Sequence, residues 1–348
     1  MLSVIVPVID EAGALPGLLA DIAAQRGVAL EVVLVDGGSR DASPDIARAA
    51  GARVIESRPG RGAQMNAGAA AALGDWLCFL HADSRLTHPA QLAAALARLE
   101  ACDDQRVAGH FRLRFVRARA GRRLFYGYLE AKTATGRRYT INGDQGLMLR
   151  RAFFDALGGF DTRLPFLEDQ RMAAAIRARG RWCLLEHPLA TSARRFEVEG
   201  AFARYLLMAL IMSMHLADVS LFFARAPRVY ARQPETGRLR LMPYFRLLRT
   251  LARDCGPRAT GRVAWRVAGV AVSQSWQLFF ALDVGLEQGL GVSGRPATRL
   301  HDRLLRPVFQ NRVARGLVLV LGAGLVFGPL QLGCALAERA RRNEARPE

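Results

Sequence analysis

Lysine is nearly missing from this sequence. Lys132 is the single lysine among 49 basic residues; the others are arginine, and against 31 acidic residues they leave a formal net charge of +18. Cysteine is scarce too: Cys78, Cys102, Cys183, Cys255 and Cys334 are odd in number and far apart. That pattern excludes a disulfide framework and a CxxC metal site, and it suits a reducing, cytosolic setting. Each thiol is then read as a small core residue. Met1 leads straight into Leu2-Ser3-Val4-Ile5-Val6-Pro7 with no basic region and no cleavage site, so no signal peptide is expected. GxGxxG and the GxxxxGK phosphate loop are absent, which removes the dinucleotide fingerprint and the P-loop. No nucleic-acid motif and no internal repeat is visible.

What is present is a chain of 348 residues, 51% apolar and 23% charged, long enough for one large domain plus an appendage. Its charge is uneven. Residues 1–200 carry 27 basic and 22 acidic side chains, whereas residues 201–348 carry 22 and 9. A basic half interleaved with long apolar runs suits an anionic membrane surface better than nucleic acid. An arginine-biased, solvated surface is the competing reading.

Short apolar runs alternate with helix-length segments in the first hundred residues. Leu2–Val8, Glu31–Asp36, Ala52–Glu56 and a run ending at His81 read as strands. Helices are expected over about Ala12–Gln25, after Asp41 or Ser43, and over Ala63–Leu73. Such alternation means β-α-β units and a parallel sheet. Three strand ends carry acidic groups: Asp10-Glu11, Asp36 and Asp83. Ligands bind beyond the carboxyl ends of strands in open α/β sheets. A carboxylate there can hold a hard cation that is itself bound to phosphate; a lone Asp after a strand is otherwise turn chemistry.

Ser3-Val4-Ile5-Val6-Pro7 with Glu11, Val35-Asp36-Gly37-Gly38-Ser39-Arg40-Asp41, Asn66-Ala67-Gly68 with Gly74-Asp75, and His81-Ala82-Asp83 resemble, in that order, the family 2 glycosyltransferases of the GT-A fold. The resemblance covers roughly residues 1–200. It implies a mixed, mainly parallel α/β sheet flanked by helices and a nucleotide-diphosphate sugar as donor, of UDP type or similar. It also implies Mg or Mn as cofactor and transfer with inversion. Pro7, Glu11, Asp36, Gly38, Ser39, Gln64 and Asn66 would line the nucleotide side, and Asp83, matching the last Asp of a D-x-D motif, would hold the metal. Two positions depart from the family pattern. Asp10 stands where Asn is usual, and His81 stands where the first Asp of D-x-D is usual. A neutral imidazole at His81 is a second metal ligand in principle, although ribose or backbone contact suits it better.

Further on, Val107–Val116 reads as one strand, Tyr126–Thr135 is hard to place, and Gly143-Asp144-Gln145-Gly146 forms a Gly-rich loop. Leu157-Gly158-Gly159-Phe160-Asp161 and Leu167-Glu168-Asp169-Gln170-Arg171 follow. A carboxylate opening a helix is ordinarily a cap or dipole partner. By the resemblance, Asp169 matches the general base that takes the acceptor's proton. Glu168 would orient it, and Asp144 would contact acceptor or sugar. Arg194-Arg195 follows a strand-like Trp182–Glu186, and Arg195 is suited to grip the leaving diphosphate. Ser192-Ala193-Arg194-Arg195, together with Arg61 to Gly68 and His81-Ala82-Asp83, resembles a radical-SAM-associated branch linked to arsenosugar synthesis.

Beyond Arg195 the chain becomes apolar and Arg-rich. Tyr205–Ala224 and Gly316–Ala337 are long apolar windows, and Val267–Leu282 is a shorter one that suits a buried or interfacial helix. Gly316–Ala337 is long enough for a bilayer-spanning helix of ~20 residues, yet it also suits interfacial docking or burial. The expected organisation is a catalytic domain over 1–200 and an apolar helix over 201–235 packing on or beside it. A helical, Arg-rich extension over 236–348, membrane-associated in one of two readings, completes the chain. Partners would be the donor and a lipid-phosphate or small-metabolite acceptor, with no nucleic acid. The location would be cytoplasmic, at the inner face of the plasma membrane if the extension docks there. The remaining alternatives are a nucleotidyltransferase, which shares the strand-edge layout, and a non-catalytic, membrane-associated scaffold. The glycosyltransferase reading depends on Asp36, Asp83 and Asp169 meeting at one pocket.

Overall fold

The computed structural model describes residues 1–163, 166–231 and 237–344. The chain divides into two compact units, Met1–Ala193 and Arg194–Glu348. The division falls a few residues before the expected boundary at 200.

The first unit carries strands β1 (Leu2–Val8), β2 (Leu30–Asp36), β3 (Arg53–Glu56), β4 (Trp76–Phe79), β5 (Ser84–Leu86), β6 (Val107–His110), β7 (Leu113–Val116), β8 (Leu147–Arg150), β9 (Arg181–Leu184) and β10 (Leu189–Ser192). Its helices are α1 (Leu15–Ala23), α2 (Ser43–Ala49), α3 (Arg61–Ala71), α4 (Gln91–Glu100), α5 (Arg123–Thr133), α6 (Arg151–Leu157) and α7 (Glu168–Arg179). Seven strands form one sheet in the order β3-β2-β1-β4-β8-β6-β9, and β5-β10-β7 form a second. Pairings through β3, β2, β1 and β4 are parallel, and β8 runs antiparallel to both its neighbours. The sheet is therefore mixed and mainly parallel.

Strand alternation builds two apolar layers, because successive side chains point to opposite faces. Val4, Val6 and Val8 of β1 join Leu18, Leu34, Cys78 and Leu92 on one face. Ile5 joins Val33, Val35, Leu77 and Met65 on the other. Pro7 fits near the end of a central strand because the β1–β4 ladder stops at Ile5 and Phe79, so its missing N–H is not needed there.

Three local expectations need correction. Val107–Val116 is two strands in different sheets, broken at Phe111 and Arg112. Phe111 is fully buried and its N–H turns to the Gln145 carbonyl at 2.9 Å. The run 126–135, hard to place from sequence, falls in α5 up to Thr133 and in the turn after it, and α5 fixes β7 from the side: Thr133 Oγ1 accepts from Leu113 N at 2.9 Å and Glu130 Oε1 from Phe115 N at 2.7 Å. The first helix starts only at Leu15, after a turn in which Glu11 O accepts from Ala14 N and Leu15 N.

The second unit is helical: α8 (Arg194–Glu199), α9 (Ala201–Leu216), α10 (Ser220–Ala231), α11 (Met242–Ser273), α12 (Trp276–Leu290), α13 (Pro296–Leu300), α14 (Arg306–Phe309), α15 (Arg312–Leu325) and α16 (Gln331–Glu344). π-helical turns join α13 to α14 at His301–Leu305 and α15 to α16 at Val326–Leu330. The apolar window 205–224 is not one helix, since Asp218 takes a left-handed φ of 52° between α9 and α10. Leu207 of α9 packs with Leu239, Leu241, Tyr244 and Phe245 in a core of this unit. Residues 201–231 thus share a core with the extension. The expected boundary at 235 and 236 lies outside the described residues.

Candidate active site

Parallel strands put their carboxyl ends on one edge. The registers Val8↔Asp36 and Ile5↔Phe79 bring the ends of β2, β1 and β4 together, and Phe79↔Leu147 adds the segment that enters β8. Asp10, Glu11, Asp36, His81, Asp83 and Asp144 all follow or precede these ends, so one sheet edge collects the acidic motifs.

On the β1–β2 side the groups hold one another. The Asp36 carboxylate accepts from Gly38 N at 3.2 Å, Ser39 N at 3.0 Å and Ser39 Oγ at 2.5 Å. Gly38 sits at φ 97° with open space around it. Ser39 Oγ accepts from Asp10 N at 3.0 Å, Asp10 Oδ1 from Arg40 N at 2.7 Å, and Asp41 Oδ2 from Ala12 N at 2.9 Å. Glu11 N donates to Ser43 Oγ at 2.9 Å. Asp10 in place of Asn thus ties the loop after β1 to the loop after β2. Pro7 is half-buried at the end of β1.

Two amides assigned to the nucleotide side are committed to backbone instead. Gln64, 2% exposed, donates to the carbonyls of Val8 and Val35, each at 2.9 Å, and so fixes the ends of β1 and β2. Asn66 donates to Phe160 O at 2.9 Å and accepts from Phe160 N at 2.8 Å. Gly159 beside it has φ 72°, and a Cβ there would stand 2.9 Å from Asn66 Oδ1. This explains the Gly-Gly-Phe-Asp turn: it is docked on α3 by one asparagine. Asp161 then pairs with Arg163 and Arg171. Hydrogen bonds from Arg163 and from Arg171 hold its carboxyl far below the usual carboxylate range.

The β4–β8 side holds Asp169. Its Oδ2 accepts from Gly143 N at 2.8 Å and its Oδ1 from Gln170 N at 2.7 Å. His81 Nδ1 lies 2.9 Å from Asp144 Oδ1. A Cβ at Gly143 would sit 3.3 Å from His81 Nε2 and 3.4 Å from Asp169 Cβ. His81 and Asp169 therefore face each other across the Gly143–Gln145 turn. Gln145, fully buried, anchors that turn through His110 Nδ1 at 2.9 Å and Thr140 O at 2.6 Å. Gly146 follows at φ 67°, where a Cβ would meet Leu80 and Phe111 at 3.2 Å, so no other residue fits.

A small cavity of about 30 Å³ opens beside these groups, lined by His81, Asn142, Gly143, Glu168, Asp169 and Arg61, with an apolar floor that includes Phe79, Phe160 and Trp182. Asp36 and Asp83 do not line it. Glu168 is 6% exposed. Burial, and then the neighbouring Asp169, push its carboxyl above the usual range, while Arg61 opposes the shift. Arg61 Nη1 stands 3.7 Å from Glu168 Oε1.

Asp83 occupies the turn between β4 and β5, partly exposed, and has no hydrogen bond or ion pair among the described residues. No cluster of three or more His, Cys, Asp or Glu side chains able to hold a metal occurs among the described residues. A single unengaged carboxylate fits a cation that takes most of its ligands from a diphosphate. His81 has its Nδ1 paired with Asp144, a carboxylate contact that orients the ring and would leave Nε2 for a second ligand position. Arg195 belongs to the second unit and is exposed in the first turn of α8. Sequence reasoning missed Arg61, Gly143 and Gln145 as builders of the site. Arg61 lay inside a quoted motif without a role, whereas backbone donors such as Gly143 N have no side-chain signal.

Residues 3–158 match the family model described as glycosyl transferase family 2. The chain carries a family 2 glycosyltransferase domain. A curated relative, the PGL/p-HBAD biosynthesis glycosyltransferase of Mycobacterium tuberculosis, is 34% identical over 179 residues, covering 49% of this chain and 66% of the relative. The chain thus spans just under two thirds of that relative's length. Staphylococcus aureus TarS 1–349 in complex with UDP aligns at 18% identity and TM-score 0.49, over 87% of this chain and 91% of that 1–349 chain. The mannosyltransferase PcManGT of Pyrobaculum calidifontis, in complex with GDP-Man and Mn2+, aligns at 18% identity and TM-score 0.46, over 94% and 87%. These structural likenesses are too distant to assign residues.

Proposed function

We propose that the first unit transfers a sugar, with inversion, from a nucleotide-diphosphate sugar to an acceptor hydroxyl. The observation that carries this reading is the fixed carboxylate of Asp169, held by two backbone N–H groups on a cavity wall that His81 shares. Asp169 takes the acceptor's proton as its oxygen attacks the anomeric carbon. The bond from that carbon to the diphosphate breaks, and its electron pair leaves with the nucleotide. Asp36, Gly38 and Ser39 form the base and ribose side of the edge. Glu168 and Arg61 set the local charge beside the base, and Asp144 keeps His81 turned toward the acceptor side.

Mg or Mn held by Asp83 would neutralise charge on the leaving diphosphate. Relatives in the fold bind UDP or GDP-Man in their complexes, and a donor of that class is proposed here. The second unit, with exposed apolar side chains and surplus arginine, is proposed to contact an anionic bilayer. A lipid-borne acceptor and a cytoplasmic membrane face go with that contact.

Incubating the full chain with Mn2+ and a panel of UDP- and GDP-sugars tests the reaction type. Release of nucleoside diphosphate, lost in Asp83→Ala, is the expected result. Release of pyrophosphate would support nucleotidyl transfer instead. No release from any donor, with lipid phosphates and small metabolites offered as acceptors, would support a non-catalytic scaffold.

A further inference from the structure

Two stretches of the second unit, Met242–Leu290 and Arg312–Arg339, are long and apolar enough to cross a bilayer by length and composition. The way they pair decides against crossing. Arg315 Nε donates to the Trp265 carbonyl at 2.7 Å, and its guanidinium lies 4.7 Å from the centre of that indole ring. Arg249 Nη2 donates to Gln331 Oε1 at 2.8 Å. Glu338 Oε1 accepts from Leu241 N at 2.9 Å and Met242 N at 3.1 Å, at the start of α11. As one number rises the other falls by the same step. The last helical stretch therefore runs antiparallel beside α11 between Arg315 and Glu338, each of the two breaking helical geometry once, α11 at Gly256 (φ 73°) and the last stretch at Gly328 (φ −106°, ψ −108°).

The partner helix is heavily charged where they lie together. Arg246, Arg249, Arg253, Arg258, Arg262 and Arg266 are all exposed on α11. If 312–339 crossed a bilayer in this packing, these arginines would be carried into hydrocarbon, where ionised groups are rare and costly. Meanwhile α15 turns a continuous apolar stripe outward. Val313, Leu317, Val320, Leu321 and Leu325 are 58–73% exposed at spacings of four, three, one and four. Beyond the π-turn, Leu332 and Leu336 are about as open. On α13, the adjoining π-turn and α14, exposed Leu300, Leu304 and Val308 alternate with exposed Arg299, Arg303 and Arg306. A helix whose polar face is basic and whose other face is apolar lies in the plane of a membrane interface.

We infer that α11 and 312–339 form a hairpin lying flat in the interface of an anionic phospholipid bilayer, with the α15 stripe among the acyl chains and the guanidinium groups at the phosphates. This rests on the bilayer contact proposed above and adds its geometry: in-plane seating, not a span. It does not depend on the sugar-transfer chemistry.

The full chain, with Cys102, Cys255 and Cys334 changed to serine, is spin-labelled at Val313→Cys, Leu325→Cys or Leu336→Cys in turn. Each protein is mixed with phosphatidylglycerol/phosphatidylcholine vesicles, and label depth is read from oxygen against nickel-chelate accessibility. The expected result is a shallow depth of ~5–10 Å at all three positions. A label at Leu325→Cys near the bilayer centre, ~15 Å deep, with the other two at opposite headgroup layers, would overturn in-plane seating and leave bilayer contact standing. Failure to float with these vesicles would overturn the contact itself. Spin–spin coupling in a salt-resistant dimer in water would assign the stripe to a second copy and overturn the inference. As a check independent of labelling, Arg262→Gln with Arg266→Gln should weaken binding to anionic vesicles about tenfold and leave binding to neutral ones unchanged. Equal weakening on both would contradict the phosphate role.

Discussion

The two units use the same residue types to opposite ends. Among the described residues, ten of the twelve largest fully buried side chains lie in residues 1–193, among them Leu34, Leu77, Leu80 and Phe111, and two, Phe222 and Phe280, lie in the second unit. Of the large apolar side chains left exposed among the described residues, six belong to residues 1–193 and nineteen to the rest. The first unit buries its apolar residues on both faces of a sheet and leaves carboxylates at one edge. The second leaves apolar stripes outside and surrounds them with arginine. A single mean hydropathy near zero (+0.08) hides this division. One unit buries most of its large apolar side chains in its own core, while the other leaves many of them exposed beside arginines.

The sharpest way to break that comparison is to show that catalysis depends on the second unit's stripe. Asp169→Asn should lower turnover by about 10²–10⁴-fold, since it removes the proton acceptor. Leu321→Ser should leave turnover with a water-soluble acceptor within about twofold, because no reacting group is touched. Steady-state release of nucleoside diphosphate reads both. A large loss from Leu321→Ser would merge the two roles.

Stability offers the next contrast. Leu34→Ala, in a fully buried position, should cost about 2–5 kcal/mol. Leu321→Ala, 69% exposed, should stay within about 0.5 kcal/mol in urea titrations. Asn66→Ala removes both hydrogen bonds to the Phe160 backbone and should cost about 1–3 kcal/mol. Proteolysis should then cut first near the Gly158–Gly159 turn; unchanged cleavage would contradict the docking role.

The smallest effect is a pH dependence. The folded state raises the Glu168 carboxyl above its ordinary value, chiefly by burial. The stability this group contributes is therefore complete below its unfolded value of about 4.3 and falls as pH rises through the raised folded value. Glu168→Gln should match the wild type near pH 4 and gain on it as pH rises toward 7. Thermal melts of the two proteins across that range check the sign; a wild type that gains on the variant as pH rises would reverse it.

Much of the first unit was legible because its signals are local. Strands such as Leu30–Asp36 show as short apolar runs, and their acidic ends give the edge that collects the site. What stayed hidden depends on tertiary geometry. The run 107–116 looks continuous, yet Phe111 sends it from one sheet to the other. Gln64 and Asn66 suggest ligand contact by type, but their amides meet backbone carbonyls that only the folded chain brings near. The C-terminal windows were readable as apolar, but span, burial and interface seating differ only in the pairing of Arg315 with Trp265 and Glu338 with Leu241. No single stretch contains that information.

In the proposed reaction two carboxylates have separate tasks: Asp83 on the donor's diphosphate, through a cation, and Asp169 on the acceptor's proton. Titrating UDP into wild type, Asp83→Ala and Asp169→Asn, with and without Mn2+, tests it most directly. The account expects Mn2+ to tighten UDP binding in wild type and in Asp169→Asn alike, to within about twofold. It also expects Asp83→Ala to lose that gain altogether. Equal loss in both variants, or a gain from Mn2+ that survives in Asp83→Ala, would contradict it.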